Sequence, residues 1–305
     1  MTVPGASATE VEATFYVGPG IYLIGCLERG VTLYSQQVRA HNLAWALWQR
    51  EREGGRQLGR VAIVGGGVAG LTIAACVLCL FNESVTVSLF EQRWDLLPLQ
   101  QGSDARWLHP KIYSWPEQGS RVPSASLPVL DWSEGRASDV ARMILKEFGK
   151  YINSFSSPDR LRVYLGLRNF QISADTKEIT WIGYSAKQTE EGFFHLDQPE
   201  GGATTFDTIT SLLRASGWRR NSRRTQPNHI GGTRSLRNQI SMEPVLRIWC
   251  PVLVTAHWSI CVGLQSSVFG KTRSCMSYSK ITNNLSMWRD AYWERGTASA
   301  KAATS

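Results

Sequence analysis

The spacing of apolar residues in the first 210 positions predicts alternating strands and helices. Arg60–Val64 is a short, β-branched apolar run, typical of a strand that is buried on both faces. The segment from Val68 to about Leu80 is apolar nearly all round, as expected of a helix packed on a sheet. Ser84–Phe90 then alternates like a second strand. Strand, helix and strand in this order predict an α/β fold with a parallel sheet.

The flanking segments extend this α/β unit. Ser35 to about Glu53 is predicted to form a helix that packs under the sheet, with Ser35 as its N-cap. Ala137 to about Phe155 is a second amphipathic helix. Four short strands separated by turn residues predict an inserted antiparallel meander: Leu161–Gly166, Asn169–Ser173, Ile179–Tyr184 and Gly192–Leu196. Phe206–Ile209 begins a returning strand.

A glycine-rich turn joins the first predicted strand to its helix. It matches G-x-G-x-x-G at Gly65, Gly67 and Gly70, with Gly66 and Ala69 between them. The first glycine permits a tight turn, the second lets the backbone approach a pyrophosphate, and the third lets helix and strand pack closely. The free N–H groups of a helix N-terminus also attract phosphates. These five residues therefore predict a Rossmann-type dinucleotide-binding loop, the alternative being a glycine-rich turn in an ordinary α/β domain.

An acidic residue ends the second predicted strand. Glu91 lies 21 residues after Gly70, where a carboxylate can accept hydrogen bonds from ribose and disfavours a cofactor with a 2′-phosphate. Arg93 completes an acid-x-Arg pattern that resembles the adenosine-binding end of flavoproteins and favours FAD, with NAD left open. No second G-x-G-x-x-G occurs in the chain, so a separate nicotinamide domain is not expected.

The loop from Asp95 to Pro128 carries the one candidate catalytic side chain, His109. Loops in this position often line the cofactor or the substrate, and a histidine there is suited to proton transfer. The alternative is a loop histidine that is merely hydrogen-bonded. Cys76 and Cys79 have C-x-x-C spacing but lie inside the apolar helix, so they are predicted to be buried and structural, and no metal site is expected.

Composition adds an asymmetry of charge. The chain has 305 residues, 43% of them hydrophobic, and a net charge of +8. Residues 211–305 hold 14 basic and 3 acidic residues, which leaves residues 1–210 with a net charge of −3. A basic tail of this kind is typical of nucleic-acid binding. Six cysteines without framework spacing, and no run of about 18 apolar residues, predict a cytoplasmic protein without a membrane partner.

Three segments resemble a largely uncharacterised family of FAD-dependent oxidoreductases over about residues 15–210: GIYLIGCLERGVTLYSQQVRAHNLAWAL, VAIVGGGVAGLTIAA and ARWLHPKIYSWP. The resemblance implies that Gly65, Gly67, Gly70 and Glu91 hold FAD, with Arg93 nearby. It further implies a closing strand of the type ILAxGxG after the FDT segment, and a later Gly-Asp motif near the flavin's ribityl–phosphate chain.

Neither element follows in the printed sequence, which becomes rich in Ser and Arg after Ile209. A shifted reading frame, in which each codon consists of the third base of one printed codon and the first two bases of the next, permits another translation. It allows HILAAGFGVE from residues 209–219, KSYWRNE from residues 227–234 and VSGTGDGALVDLC from residues 249–261. The first contains the missing strand and the third a Gly-Asp motif. We therefore predict that the chain is out of frame from about Ile209, which makes the basic charge accidental and nucleic-acid binding unexpected.

The predicted organisation has three parts. Residues 1–58 form an N-terminal extension with a packing helix, residues 59–210 an FAD/NAD(P)-binding domain with the inserted meander, and residues 211–305 a basic, poorly packed third. The predicted function is FAD-dependent oxidation of a small organic substrate, weakened here by the lost closing strand. Two alternatives are a non-catalytic FAD- or NAD-binding module and a nucleic-acid-binding protein that uses residues 211–305.

Overall fold

The chain forms a mixed α/β fold in a computed structural model that describes residues 6–25, 31–81, 83–114, 116–153, 158–189 and 193–211. The helices are α1 (Ala8–Phe15), α2 (Leu33–Arg52), α3 (Val68–Leu80) and α4 (Ala137–Asn153), with a 3-10 turn at Pro158–Arg160. The strands are β1 (Tyr16–Gly18), β2 (Ile21–Leu23), β3 (Arg60–Val64), β4 (Thr86–Phe90), β5 (Trp107–Leu108), β6 (Gly135–Arg136), β7 (Leu161–Ser173), β8 (Glu178–Gln188), β9 (Phe194–Thr205) and β10 (Thr208–Ser211). Ile209–Ser211, at the start of the segment predicted to be out of frame, form the end of β10, and the rest of that segment lies outside the described residues.

Eight of these strands form one sheet in the order β1-β2-β10-β3-β4-β7-β8-β9. The five neighbours from β2 to β7 are parallel, whereas β1 at one edge and β8 and β9 at the other run antiparallel. β5 and β6 pair separately as a small antiparallel ladder. The predicted α/β class with a parallel sheet and an antiparallel meander is thereby confirmed at this level.

The central strands of the sheet are buried on both faces because they are apolar at successive positions, whereas β9 at the edge is largely exposed. In β3, Val61 and Ile63 belong to the core shared with the helices, while Ala62 faces a second, smaller core. α3 is buried at nearly every position, as its uniformly apolar sequence predicts. No helix within the described ranges combines the length and apolarity that a bilayer span requires.

The start of α2 differs from the prediction. Its N-cap is Thr32, and Ser35 is the third residue of the helix. The Thr32 hydroxyl accepts a hydrogen bond from the Ser35 backbone N–H at 3.0 Å, and the Ser35 hydroxyl accepts one from the Thr32 N–H at 3.0 Å. This reciprocal pair satisfies two backbone donors that a cap at Ser35 would leave open.

The meander contains three long strands where the pattern predicted four short ones. β7 continues through the predicted break because Gly166 (φ +62°) and Asn169 (φ +52°) take left-handed conformations. Its register with β8 shifts on both sides of Arg168, so these positions act as bulges and do not end the strand. The returning strand is β10, which begins at Thr208, two residues later than predicted.

An aromatic cluster fills the sheet face away from the helices. Phe90 at the end of β4 packs against four other rings at centroid distances of 5.1 to 5.9 Å: Tyr164, Phe170, Trp181 and Phe206. Bulges bend and twist the strand that contains them. We attribute the approach of Trp181, two strands away from Phe90, to this curvature. The cluster fixes the end of β4, from which the predicted ribose-binding acid projects.

Candidate functional site

The glycine-rich loop turns sharply where β3 ends. Gly65 has a φ of +117°, a conformation that side chains disfavour, and its N–H donates to the Phe90 carbonyl at 2.7 Å. The Gly66 carbonyl accepts a hydrogen bond from the Leu97 N–H at 2.9 Å. A Cβ atom on Gly66 would lie 2.7 Å from Leu96 Cδ2 and 3.0 Å from Glu91 Cβ. Two consecutive positions of the loop therefore require glycine for different reasons.

The next residue, Gly67, is open to an approaching ligand. A Cβ atom built there meets no atom within 4 Å, and its backbone (φ −78°) is accessible to any residue. Gly67 is the N-cap of α3, and no side chain caps this helix. Ala69 and Gly70 are buried in its first turn. The free N–H groups of this turn form the kind of site that binds phosphate oxygens.

Glu91 is fixed above the loop by backbone contacts on both sides. Its N–H donates to the Tyr164 carbonyl at 2.9 Å, and its carbonyl accepts from the Leu167 N–H at 3.3 Å. The carboxylate then bridges two amides: Oε2 accepts from the Gly66 N–H at 2.6 Å, and Oε1 accepts from the Arg93 N–H at 2.8 Å. The predicted acid and the predicted loop thus meet directly in the fold.

The bridged carboxylate keeps acceptor capacity for a ligand. Each carboxylate oxygen accepts more than one hydrogen bond, so two backbone contacts leave lone pairs for hydroxyl donors. The Gly66 amide is used by Glu91, which leaves the amides from Gly67 onward as the phosphate donors. A negative charge at this position repels a second anion such as a 2′-phosphate. The arrangement can bind a phosphorylated ribose whose hydroxyls are free.

The sequence did not predict how residues 92–97 fold back against the loop. Leu97 has a φ of +48° and donates its N–H to Gly66, while Leu96 is fully buried against the same glycine. Leucine rarely adopts a positive φ, so no local sequence signal points to this turn. Arg93 lies exposed at its start, with its N–H on Glu91.

His109 is placed in a different group of contacts. It follows the short strand β5, and its Nδ1 accepts a hydrogen bond from the Lys111 N–H at 3.1 Å. A neutral ring with this bond carries its proton on Nε2, which lies 3.4 Å from a Glu134 carboxylate oxygen. Both ring nitrogens of His109 thus already contact protein groups, one at Lys111 and the other at Glu134, just before β6. Its catalytic role stays a prediction.

A buried cysteine–histidine pair was not predicted by the sequence. The Cys76 sulfur lies 3.3 Å from Nδ1 of His41, and both side chains are fully buried between α2 and α3. Burial raises the pKa of the Cys76 thiol and lowers the pKa of His41 to about 3. Cys76 is buried as predicted, while Cys79 is half-buried. Across the described ranges, no three His, Cys, Asp or Glu residues form a group able to hold a metal ion.

Two cavities lie away from the glycine-rich loop. A groove of about 600 Å³ runs along α4 and the segment 131–133; it contains Glu147, whose pKa is raised to about 7 by burial and by the Asp131 carboxylate. A second cavity of about 230 Å³ lies where β2 and β10 begin, between Tyr22, Arg50 and Arg56. This second cavity is at the opposite end of the parallel strands from the loop.

No model of a known protein family matches the chain. A search of the curated proteins likewise finds no match.

Proposed function

We propose that the chain binds FAD through its adenosine diphosphate half and belongs to an FAD-dependent oxidoreductase. The observation that carries the proposal is the 2.6 Å hydrogen bond between the Gly66 N–H and the Glu91 carboxylate. This bond holds a ribose-binding acid beside an uncapped helix N-terminus. A Gly-rich turn in an ordinary α/β domain has no need for either feature.

The position of the loop in the sheet supports the proposal. Val64, the last residue of β3, is level with Phe90 of β4 on one side and Ser211 of β10 on the other. β4 follows β3 directly through α3, whereas β10 follows only after the meander. Open α/β sheets bind their ligands beyond the carboxyl ends of the strands, where the strand order changes direction in this way.

The proposal gives each residue one task. The amides of the first turn of α3 bind the pyrophosphate, and the open space at Gly67 allows its close approach. Glu91 orients the ribose through its hydroxyls, and Arg93 supplies positive charge beside the adenosine. FAD is preferred over NAD because of the acid-x-Arg pattern and the family resemblance. When bound, FAD supplies hydride acceptance from an organic donor and passes the electrons to an acceptor.

Nucleotide binding and turnover are separate parts of the proposal. The family elements expected near the flavin ring are a closing strand with ILAxGxG and a Gly-Asp motif. The segment that corresponds to the closing strand begins in β10 (Thr208–Ser211), without the expected glycines, and its remainder and the segment of the Gly-Asp motif lie outside the described part of the chain. Their recovery in another reading frame remains a prediction, tested by sequencing the transcript across the codons for residues 201–275. The described residues carry the adenosine half of the site in either case.

A ligand titration tests the binding proposal. FAD, NAD and FMN are titrated separately against the full chain by calorimetry, because FMN shares the flavin with FAD but lacks the adenosine. We expect FAD to bind and FMN to bind at least tenfold more weakly. Glu91→Gln should weaken FAD by about tenfold or more, whereas Glu178→Gln, at the start of β8, should match the unsubstituted chain. Equal affinity for FAD and FMN, or no binding of FAD, would overturn the proposal.

A reduction assay separates an enzyme from a non-catalytic module. The local contacts of both His109 nitrogens favour the module as a second candidate, because a catalytic base needs a free lone pair. Bleaching of bound flavin by one of a panel of organic donors would support the oxidoreductase. A stoichiometric flavin that no donor reduces would support the module.

A further inference from the structure

We propose that Trp94 is the surface on which the base of the nucleotide stacks. This inference rests on the proposed function, since it extends the same site from the phosphates and ribose to the base. It is carried by the order of three neighbouring strand ends and by the exposure of one tryptophan ring beside them.

The strand ends define a direction along the carboxyl edge of the sheet. Val64 of β3, Phe90 of β4 and Tyr164 of β7 are level with one another in the parallel ladder. A nucleotide with its phosphates at the loop after β3 and its ribose at Glu91 after β4 has crossed one strand spacing, about 4.8 Å. Because phosphate, ribose and base follow one another in the molecule, the base then lies towards β7.

Trp94 lies on the β7 side of Glu91, where the base of such a nucleotide would lie. The Arg93 carbonyl accepts a hydrogen bond from the Gly166 N–H of β7 at 2.8 Å, which fixes the chain just before the tryptophan. The Trp94 ring lies directly against Gly166: a Cβ atom there would be 2.6 Å from Cε3. The Tyr184 ring from β8 supports it at a centroid distance of 5.6 Å.

The ring is supported yet open. Trp94 remains 51% exposed, although its neighbours on β7 and β8 hold it in place. The Arg168 guanidinium lies over the ring, with its Cζ 5.7 Å from the ring centroid, and places positive charge against the π-system. A fixed and half-exposed indole is a suitable platform for a nucleobase, since every base presents a flat π-face that stacks on aromatic side chains.

Trp107 provides a matched control. It is also exposed, at 63%, but it lies on β5, which pairs with β6 in a ladder separate from the eight-stranded sheet. A substitution there removes an exposed indole of the same size from the same chain. Any loss that is specific to Trp94 therefore reflects its position.

The test compares ADP and FAD binding by calorimetry in the full chain with Trp94→Ala, Trp94→Leu, Trp94→Phe and Trp107→Ala. Loss of base stacking corresponds to a reduction of affinity by roughly 5- to 150-fold. We expect this reduction for the Ala and Leu variants at position 94, by the same factor for ADP and FAD, since both contain adenosine diphosphate. Trp94→Phe should recover most of the affinity because it retains a π-face, and Trp107→Ala should bind as the unsubstituted chain does.

The outcomes distinguish this inference from the function on which it rests. If the Ala and Leu variants bind FAD as tightly as the unsubstituted chain, the stacking role is wrong while FAD binding stands. If Leu restores affinity as well as Phe does, the position needs only apolar bulk, and the inference is again wrong. If the unsubstituted chain binds neither ADP nor FAD, the proposed function itself fails. Urea unfolding of each variant checks that the fold is retained.

Discussion

Two adjacent glycines in the loop have different roles: the fold requires glycine at position 66, and the proposed ligand requires it at position 67. A methyl group at Gly66 would overlap Leu96 and press on the Glu91 side chain, whereas a methyl group at Gly67 would enter space that is open for at least 4 Å. We predict that Gly66→Ala damages the folded chain, while Gly67→Ala leaves it intact and blocks the pyrophosphate. The two variants have the same amino-acid composition and differ only in which of the two adjacent glycines is replaced.

The expected magnitudes follow from the local geometry. Gly66→Ala forces a contact of 2.7 Å with a side chain in the packed core, and overpacking of this kind costs about 1–3 kcal/mol. At Gly67 the backbone suits alanine, which stabilises the chain by about 0.4–1 kcal/mol through the unfolded state. Alanine is a poorer N-cap than glycine by about 1 kcal/mol, so the two effects nearly cancel. A tenfold loss of FAD affinity corresponds to about 1.4 kcal/mol.

Urea unfolding and FAD calorimetry on both variants measure the two quantities separately. For Gly67→Ala we expect a free energy of unfolding within about 1 kcal/mol of the unsubstituted chain and an affinity for FAD at least tenfold lower. For Gly66→Ala we expect the loss of stability. Undiminished FAD binding by Gly67→Ala would refute the assignment of this loop to the pyrophosphate, and a stable Gly66→Ala would refute the packing argument.

Three further predictions concern stability, each measured by urea unfolding. Burial lowers the pKa of His41 to about 3, so the folded chain does not take up the proton that the unfolded chain binds near pH 6.5. The free energy of unfolding should therefore fall as the pH drops from 6.5 towards 3. It should fall less steeply in His41→Gln. Burial raises the pKa of Glu147 to about 7, so between pH 4.5 and 7 the folded chain keeps a proton that the unfolded chain releases. The free energy of unfolding should therefore fall as the pH rises from 4.5 to 7. Glu147→Gln should stabilise the chain at pH 8 by about 1 kcal/mol but not at pH 4.5. Gly166→Ala should cost about 2 kcal/mol or more, because it combines a φ of +62° with a clash against Trp94. An unchanged urea midpoint would contradict the described bulge in β7.

The first strand–helix–strand unit could be predicted from the sequence because its signals are local. β3 and α3 have the predicted boundaries, and β4 begins two residues later than predicted. A buried parallel strand and a helix packed on it have few alternatives once a glycine turn joins them. The contact between Glu91 and the loop follows from the same geometry, since the ends of parallel neighbours are adjacent.

The remaining features depend on contacts between distant residues. The continuity of β7 through Gly166 and Asn169 is set by its pairing with β8, which local turn propensity does not encode. The His41–Cys76 pair joins residues 35 positions apart, and its spacing has no motif. The Trp94 ring is held by Gly166 and Tyr184, which are distant from it in the chain, so no local sequence signal marks this tryptophan.

The central claim is that the loop at Gly65–Gly70 and the segment after β4 hold the nucleotide, and hydrogen–deuterium exchange with and without FAD tests it most directly. We predict slower exchange in peptides that cover residues 64–72 and 90–97 when FAD is present, and unchanged exchange in peptides that cover residues 12–23 and 47–58, which border the cavity at the opposite end of the sheet. Protection at that cavity without protection of the loop would contradict the account.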